Sequence, residues 1–267
     1  MVKIGHAEDF VQSSLARYGI YGRNGAGKTT FLTTLETEKL LVVSDEGQNT
    51  KPLLGYQDRI KVAKVSKWDE VDEIYRILVA GKGGNGPSAL AFDGWPMRLI
   101  INKVTGAHLE QGDEAEWLSK PPDQYPGNWD AWEKVAGLSN YGMLCFMRLP
   151  THLIVCFDEE EPKFDKGIIS KKGGPLLPTQ ALRGAKRQLE FMGRLFAELK
   201  HPPLDDVIPE TAEETRRMLV GEHELWYAKG PVHAVGYCIN NPTWSKLLPA
   251  LSAAPLNING HTEEEGI

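Results

Sequence analysis

Apolar residues along this chain fall into two kinds of stretch, short unbroken runs and longer runs that repeat every three or four positions. Leu40-Leu41-Val42-Val43, Ala89-Leu90-Ala91-Phe92 and Leu153-Ile154-Val155-Cys156-Phe157 have the length and continuity of parallel strands buried on both faces. Residues 17–21 are short and β-prone, and residues 60–65 read as an edge strand. Helical spacing predicts a helix over 29–37 through Phe31, Leu32 and Leu35. A second helix opens at a capping box in Ser66-Lys67-Trp68-Asp69, carries Val71, Ile74, Tyr75, Leu78 and Val79 on one face, and stops at the glycine cluster of 81–88. Residues 129–147 read as a third helix, and 179–200 as a fourth with Leu182, Ala185, Leu189, Met192, Phe196 and Leu199 on one stripe. Residues 224–228 and 232–237 read as two late strands. Strands alternating with helices predict an α/β fold around a mostly parallel central sheet flanked by helices.

Two segments lack periodicity. Residues 94–127, with Pro121, Pro122 and Pro126, read as a long surface excursion, and 162–178 as a mobile loop or hairpin. With 267 residues, one large domain over 1–250 and a flexible tail over 251–267 are expected. A composition of 41% apolar and 25% charged residues is that of an ordinary globular protein. The net charge of −6 excludes a global basic footprint, so contact with nucleic acid requires a local patch. Lys163, Lys166, Lys171 and Lys172 in the aperiodic 162–178 segment form the clearest one. Cys145, Cys156 and Cys238 lie far apart without a C-x-x-C pair, which argues against zinc and against a disulfide framework. No run approaches the length of a membrane span, and the first 19 residues hold no apolar core of signal-peptide length. A cytoplasmic protein without a membrane partner is expected, in a bacterial host if the chain is phage-encoded.

One stretch carries specific chemistry. Gly22-Arg23-Asn24-Gly25-Ala26-Gly27-Lys28-Thr29, followed by Thr30, fits G-x-x-x-x-G-K-[ST] at every fixed position, between a strand signal and a helix signal. Triphosphate oxygens need several backbone N–H groups converging from one loop, and glycines let that backbone turn and approach closely. In such a loop Lys28 meets the β- and γ-phosphates, the Thr29 hydroxyl ligates Mg²⁺, and the helix start favours the anion. ATP and Mg²⁺ are the expected cofactors. Asp93, at the end of an apolar strand, is the expected second metal-holding group. Ser44-Asp45-Glu46-Gly47 ends another strand on the edge where open α/β sheets bind ligands.

This order of parts resembles the RecA-like core of P-loop ATPases, and more narrowly the phage nucleotide-binding proteins of that core, some of which act in single-strand annealing or recombination. The resemblance rests on the 22–29 loop, Ser44-Asp45-Glu46-Gly47, Phe92-Asp93, the 153–157 strand and Tyr227-Ala228-Lys229, and covers roughly residues 15–240. It implies that Glu46 orients the attacking water and that the segment over 162–178 contacts single-stranded DNA. It also implies head-to-tail homo-oligomers, rings or filaments, in which Lys229 reaches a neighbour's γ-phosphate. Other classes stay open. A nucleotide or small-molecule kinase would use the same loop with Leu182-Arg183-Gly184-Ala185-Lys186-Arg187 as a lid, and a non-catalytic ATP-gated replication or packaging module would bind without turnover. GTP is disfavoured because Asn102-Lys103-Val104-Thr105 lacks the final Asp of a guanine-reading Asn-Lys-x-Asp.

Overall fold

A computed structural model describes residues 15–81, 86–110, 113–119, 128–199, 214–230 and 236–252. In chain order the elements are β1 (Arg17–Tyr21), α1 (Lys28–Leu32), β2 (Leu40–Asp45), β3 (Ile60–Val65), α2 (Trp68–Ala80), β4 (Ala89–Asp93), α3 (Met97–Thr105), α4 (Asp113–Ser119), α5 (Asn128–Met147) and β5 (His152–Phe157). There follow β6 (Glu159–Glu160), β7 (Lys163–Asp165), β8 (Ile168–Lys171), β9 (Gly174–Pro175), α6 (Thr179–Gln188), β10 (Phe191–Leu199), β11 (Glu214–Leu219), β12 (Cys238–Asn240) and α7 (Trp244–Ser252).

One eight-stranded sheet runs in the order β12-β11-β10-β1-β5-β4-β2-β3. The six strands from β10 to β3 are mutually parallel, whereas β11 and β12 join antiparallel at one side. The apolar runs occupy the middle, where neither face meets water: all five residues of β4 and five of six in β5 are buried. Alternation then divides them between two cores. Ile154 and Cys156 face Phe31 and Leu32 of α1 and Trp244 and Leu247 of α7. Leu153, Val155 and Phe157 face the helices of the opposite layer, among them Val71 of α2, Ile100 of α3, Phe146 of α5 and Ala185 of α6. β3 closes one edge with Lys61 and Lys64 outward, a pattern that discourages further strand pairing.

A buried arginine joins the start of β1 to the end of the longest helix. The Arg17 guanidinium donates to the carbonyls of Met147 and Leu149 at 2.9 Å and to that of Thr151, carbonyls that have no partner inside α5.

Several elements depart from the sequence expectations. The stripe over 179–200 is not one helix: α6 stops at Gln188, Leu189 is extended, and Phe191 to Leu199 forms β10. A strand covered on both faces presents apolar residues at any spacing, so Leu189, Met192 and Phe196 imitate a helical stripe. Pairing with β1 and β11 decides between them. The excursion over 94–127 contains α3 and α4; Pro96 stands at the N-cap of α3 and Gly106, with φ 70°, at its end, start and stop signals that the surrounding irregularity obscured. Pro121, Pro122 and Pro126 lie outside the described residues. In the box before α2 the acid is Glu70, which accepts from the Ser66 backbone N–H at 2.7 Å, while Asp69 pairs with Lys103. α1 ends four residues after Lys28, short of the predicted Thr37.

Residues 224–228 form no strand; Trp226 and Lys229 make single bridges to Gly173 and Met192. Residues 232–235 of the other predicted strand lie outside the described residues. The antiparallel neighbour of β10 is instead β11, which pairs antiparallel with β12 on its other side, both in stretches where no strand was expected. Over 162–178 the hairpin alternative holds. β7 pairs with β8 across Lys166 and Gly167, both at positive φ (48° and 80°), as a two-residue turn compatible with strand twist requires. Residues 251–252 belong to α7, and the remainder of the expected tail lies outside the described residues. Among the described residues no helix is long and apolar enough to cross a membrane.

Candidate functional site

The C-terminal ends of β1, β2, β4 and β5 meet at a cleft of about 810 Å³. One wall is the glycine-rich loop after β1. Gly22 must be glycine because a Cβ there would lie 2.2 Å from the Leu195 carbonyl oxygen of β10. Gly25 and Gly27 take φ of 83° and 96°, which side chains with a Cβ adopt only under strain. Arg23, Asn24, Gly25, Gly27, Lys28, Thr29 and Thr30 line the cleft, whereas Ala26 turns into the α1-side core.

Lys28 is 8% exposed. Its ammonium donates to the Gly22 carbonyl at 2.6 Å and pairs with Asp158 at 3.0 Å, at the end of β5. The side chain is thus folded against its own loop. The Thr29 hydroxyl lies 2.9 Å from both carboxylate oxygens of Asp93, and Asp93 is only 3% exposed. Burial pushes the Asp93 carboxyl above its ordinary range; the Thr29 hydrogen bond and the Lys28 charge oppose this without cancelling it. A buried carboxylate and a hydroxyl facing one opening form an incomplete oxygen ligand set for a hard divalent cation. Among the described residues no group of three or more His, Cys, Asp or Glu could hold a metal, so remaining ligands would come from water or a bound anion.

The strand-end acids behave differently from one another. Glu46 is exposed and does not line the cleft. Asp45 does, but the Arg98 guanidinium of α3 holds it through Nη2 at 2.7 Å and Nε at 3.0 Å. Gln48 lines the cleft too, and its amide packs on Gly94 so closely that a Cβ there would lie 2.5 Å from Nε2. With φ 94° as well, position 94 beside the buried acid has two reasons to be glycine. Glu159 is clasped by Arg194 at 2.8 and 3.1 Å and approached by Arg23 at 3.5 Å.

Lys229 is not brought to the cleft. Its ammonium donates to the carbonyls of Lys186 at 2.9 Å and Leu189, capping the end of α6, where a cation is favoured. Arg98, Gln48 and Arg216 of β11, which sequence reading passed over, line the cleft instead. Only the adjacent Arg216-Arg217 pair was a visible signal, and it sat where no element was expected. Asn102 and Lys103 serve the fold: the Asn102 side chain accepts from Leu109 N–H and Lys103 pairs with Asp69.

The β7–β8 hairpin begins a few residues after Asp158 and exposes Phe164 and Ile168. Of its lysines, Lys163 and Lys171 share Glu160, Lys172 lies 3.6 Å from Glu222, and Lys166 is exposed in the turn. Arg183 and Lys186 sit on α6, which is packed into the core through Ala181 and Ala185. In comparisons with known proteins, no protein-family model matches the chain and no curated protein matches it.

Proposed function

We propose that this chain is a RecA-like P-loop ATPase that binds Mg-ATP in the cleft and acts on single-stranded DNA in phage-type recombination or annealing. The observation that carries the reading is the Thr29–Asp93 contact at 2.9 Å. It joins the hydroxyl of the phosphate-loop pattern to a buried acid two strands away, the pairing that Mg-nucleotide sites of this kind use. The backbone of 22–29 turns through two positive-φ glycines, the kind of turn in which N–H groups can converge on phosphate oxygens. Lys28, held by Asp158 and the loop carbonyls, presents its charge to the outer phosphates. Thr29 and Asp93 would hold Mg²⁺, which supplies charge neutralisation between the β- and γ-phosphates. In this reading Gln48, whose amide packs on Gly94 in the cleft wall, takes the role of orienting the attacking water in place of Glu46.

The DNA assignment is supported by the hairpin, which couples lysines to an exposed phenylalanine, the combination of charge and stacking surface that single strands bind. Assembly into a ring or filament belongs to the same reading, and sedimentation with and without Mg-ATP and DNA measures it. The deciding experiment is ATP turnover with and without single-stranded DNA. Wild-type protein hydrolyses ATP and DNA accelerates it; Lys28→Ala loses turnover, and Gln48→Ala keeps nucleotide binding but loses most of the rate, on the order of 10²-fold. Phosphate transfer to a small acceptor would make the protein a kinase, and binding without turnover a nucleotide-gated module.

A further inference from the structure

Arg216 stands opposite Lys28. β1 ends level with Arg194 of β10, but β10 continues to Leu199 beside β11 and rises above the edge from which the loop springs. Arg216 pairs with Ala197 three positions above that level, about 10 Å at the rise of a strand. Its side follows from alternation: Met218 and Val220, two and four residues on, lie in the core on the α1 side. The guanidinium accordingly lies over the loop, where a Cβ on Gly27 would be 2.8 Å from Nη1 and 3.1 Å from Cδ. Asn241 fixes the strand here, with its N–H donating to the Arg216 carbonyl at 2.6 Å and its side chain accepting from the Arg216 N–H at 3.3 Å. The absent Cβ at position 27 therefore serves two ends, the positive φ and the approach of this arginine.

We propose that Arg216 binds the inner phosphates of the nucleotide, clamping the phosphate chain from the side of the loop opposite Lys28. Across the sheet edge the order is Arg216 above β11, the loop above β1, Lys28 with Asp158 at β5, and Thr29 with Asp93 at β4. The metal-holding end takes the terminal phosphate, so the far end takes the α- and β-phosphates next to the nucleoside. A guanidinium suits that task, since its fork matches two phosphate oxygens and its charge does not depend on pH. Contacts to groups present in substrate and product contribute to binding without favouring the transition state. Arg216 is thus a binding residue of the same chain and no part of the bond-breaking chemistry.

This assignment rests on the cleft being a nucleoside triphosphate site, and the test separates the two. ADP and ATP affinities are measured by calorimetry, and kcat at saturating ATP, for wild type, Lys28→Ala, Arg216→Ala and Arg216→Lys, with circular dichroism to establish that each is folded. Arg216→Ala weakens ADP and ATP by similar factors, on the order of ten- to a hundredfold, and the loss falls on affinity rather than mainly on kcat. Arg216→Lys, which keeps the charge but loses the fork, shows the same pattern at a smaller factor and serves alone if the alanine variant does not fold. Unchanged ADP affinity in the folded variants overturns the assignment, as does a fall in kcat with affinity preserved. If wild type binds neither nucleotide, the reading of the cleft falls and the role of Arg216 with it.

Discussion

Asp93 shows what a single buried carboxyl does to stability. Its folded pKa is raised above 3.8 chiefly by burial, so the folded protein holds this proton more tightly than the unfolded chain does. Stability therefore falls as pH rises from 3.8 through the raised folded pKa. Asp93→Asn removes the buried charge and still accepts from the Thr29 hydroxyl. Its melting temperature without ligand should exceed that of wild type at pH 7, and the gap should shrink as the pH is lowered towards 4. The same variant should lose the Mg²⁺ dependence of ATP binding. A melting temperature below wild type at neutral pH would mean that the carboxylate is compensated where it sits. The neighbouring acids are each paired with an arginine, Asp45 with Arg98 and Glu159 with Arg194.

Among the elements, the β7–β8 hairpin has the least ambiguous shape and the most contested charge. Its turn is dictated locally by Lys166 and Gly167, yet its lysines are largely matched by Glu160 and Glu222. DNA phosphates must displace these exposed pairs, which are individually weak. Replacing Lys171 and Lys172 with Gln should lower single-strand affinity and reduce the slope of log K against log salt by about 1.4, two contacts at roughly 0.7 each. ATP affinity should not change. An unaltered slope in the double variant would leave the hairpin as plain surface. α6 and β10 teach a second lesson: a polar helix and a strand buried on two faces lie end to end, and only the break at Leu189 separates them.

Across the protein, the cleft draws its walls from segments far apart in the chain, among them the loop after β1 and Arg216 of β11. A nucleotide that binds only this assembled cleft stabilises the fold as a unit. At a hundred times its dissociation constant, Mg-ATP should add about 2.7 kcal/mol, or roughly 5–10 °C in melting temperature for a protein of this size. Lys28→Ala should show no such shift, measured by calorimetry under the same conditions. A shift of equal size in the variant would place the nucleotide elsewhere.

Local patterns were enough to read the parallel core strands β2, β4 and β5, the helices α2 and α5, and the loop carrying Lys28 and Thr29, because each depends on burial of a continuous run or on glycines at fixed spacing. Asp93 was legible for the same reason, as an acid ending an apolar strand. Glu46, Gln48 and Asp45 stand within four positions of one another, and nothing in their order says which faces the cleft. That follows from how Arg98 and Lys64 pin the turn, Lys64 donating to the Gln48 carbonyl at 2.6 Å. Lys229 and Arg216 are equally cationic in the sequence, but the end of α6 occupies one while an antiparallel strand lifts the other over Gly27. Long-range pairing assigns such roles, and it depends on which distant segments meet rather than on the residues beside each one.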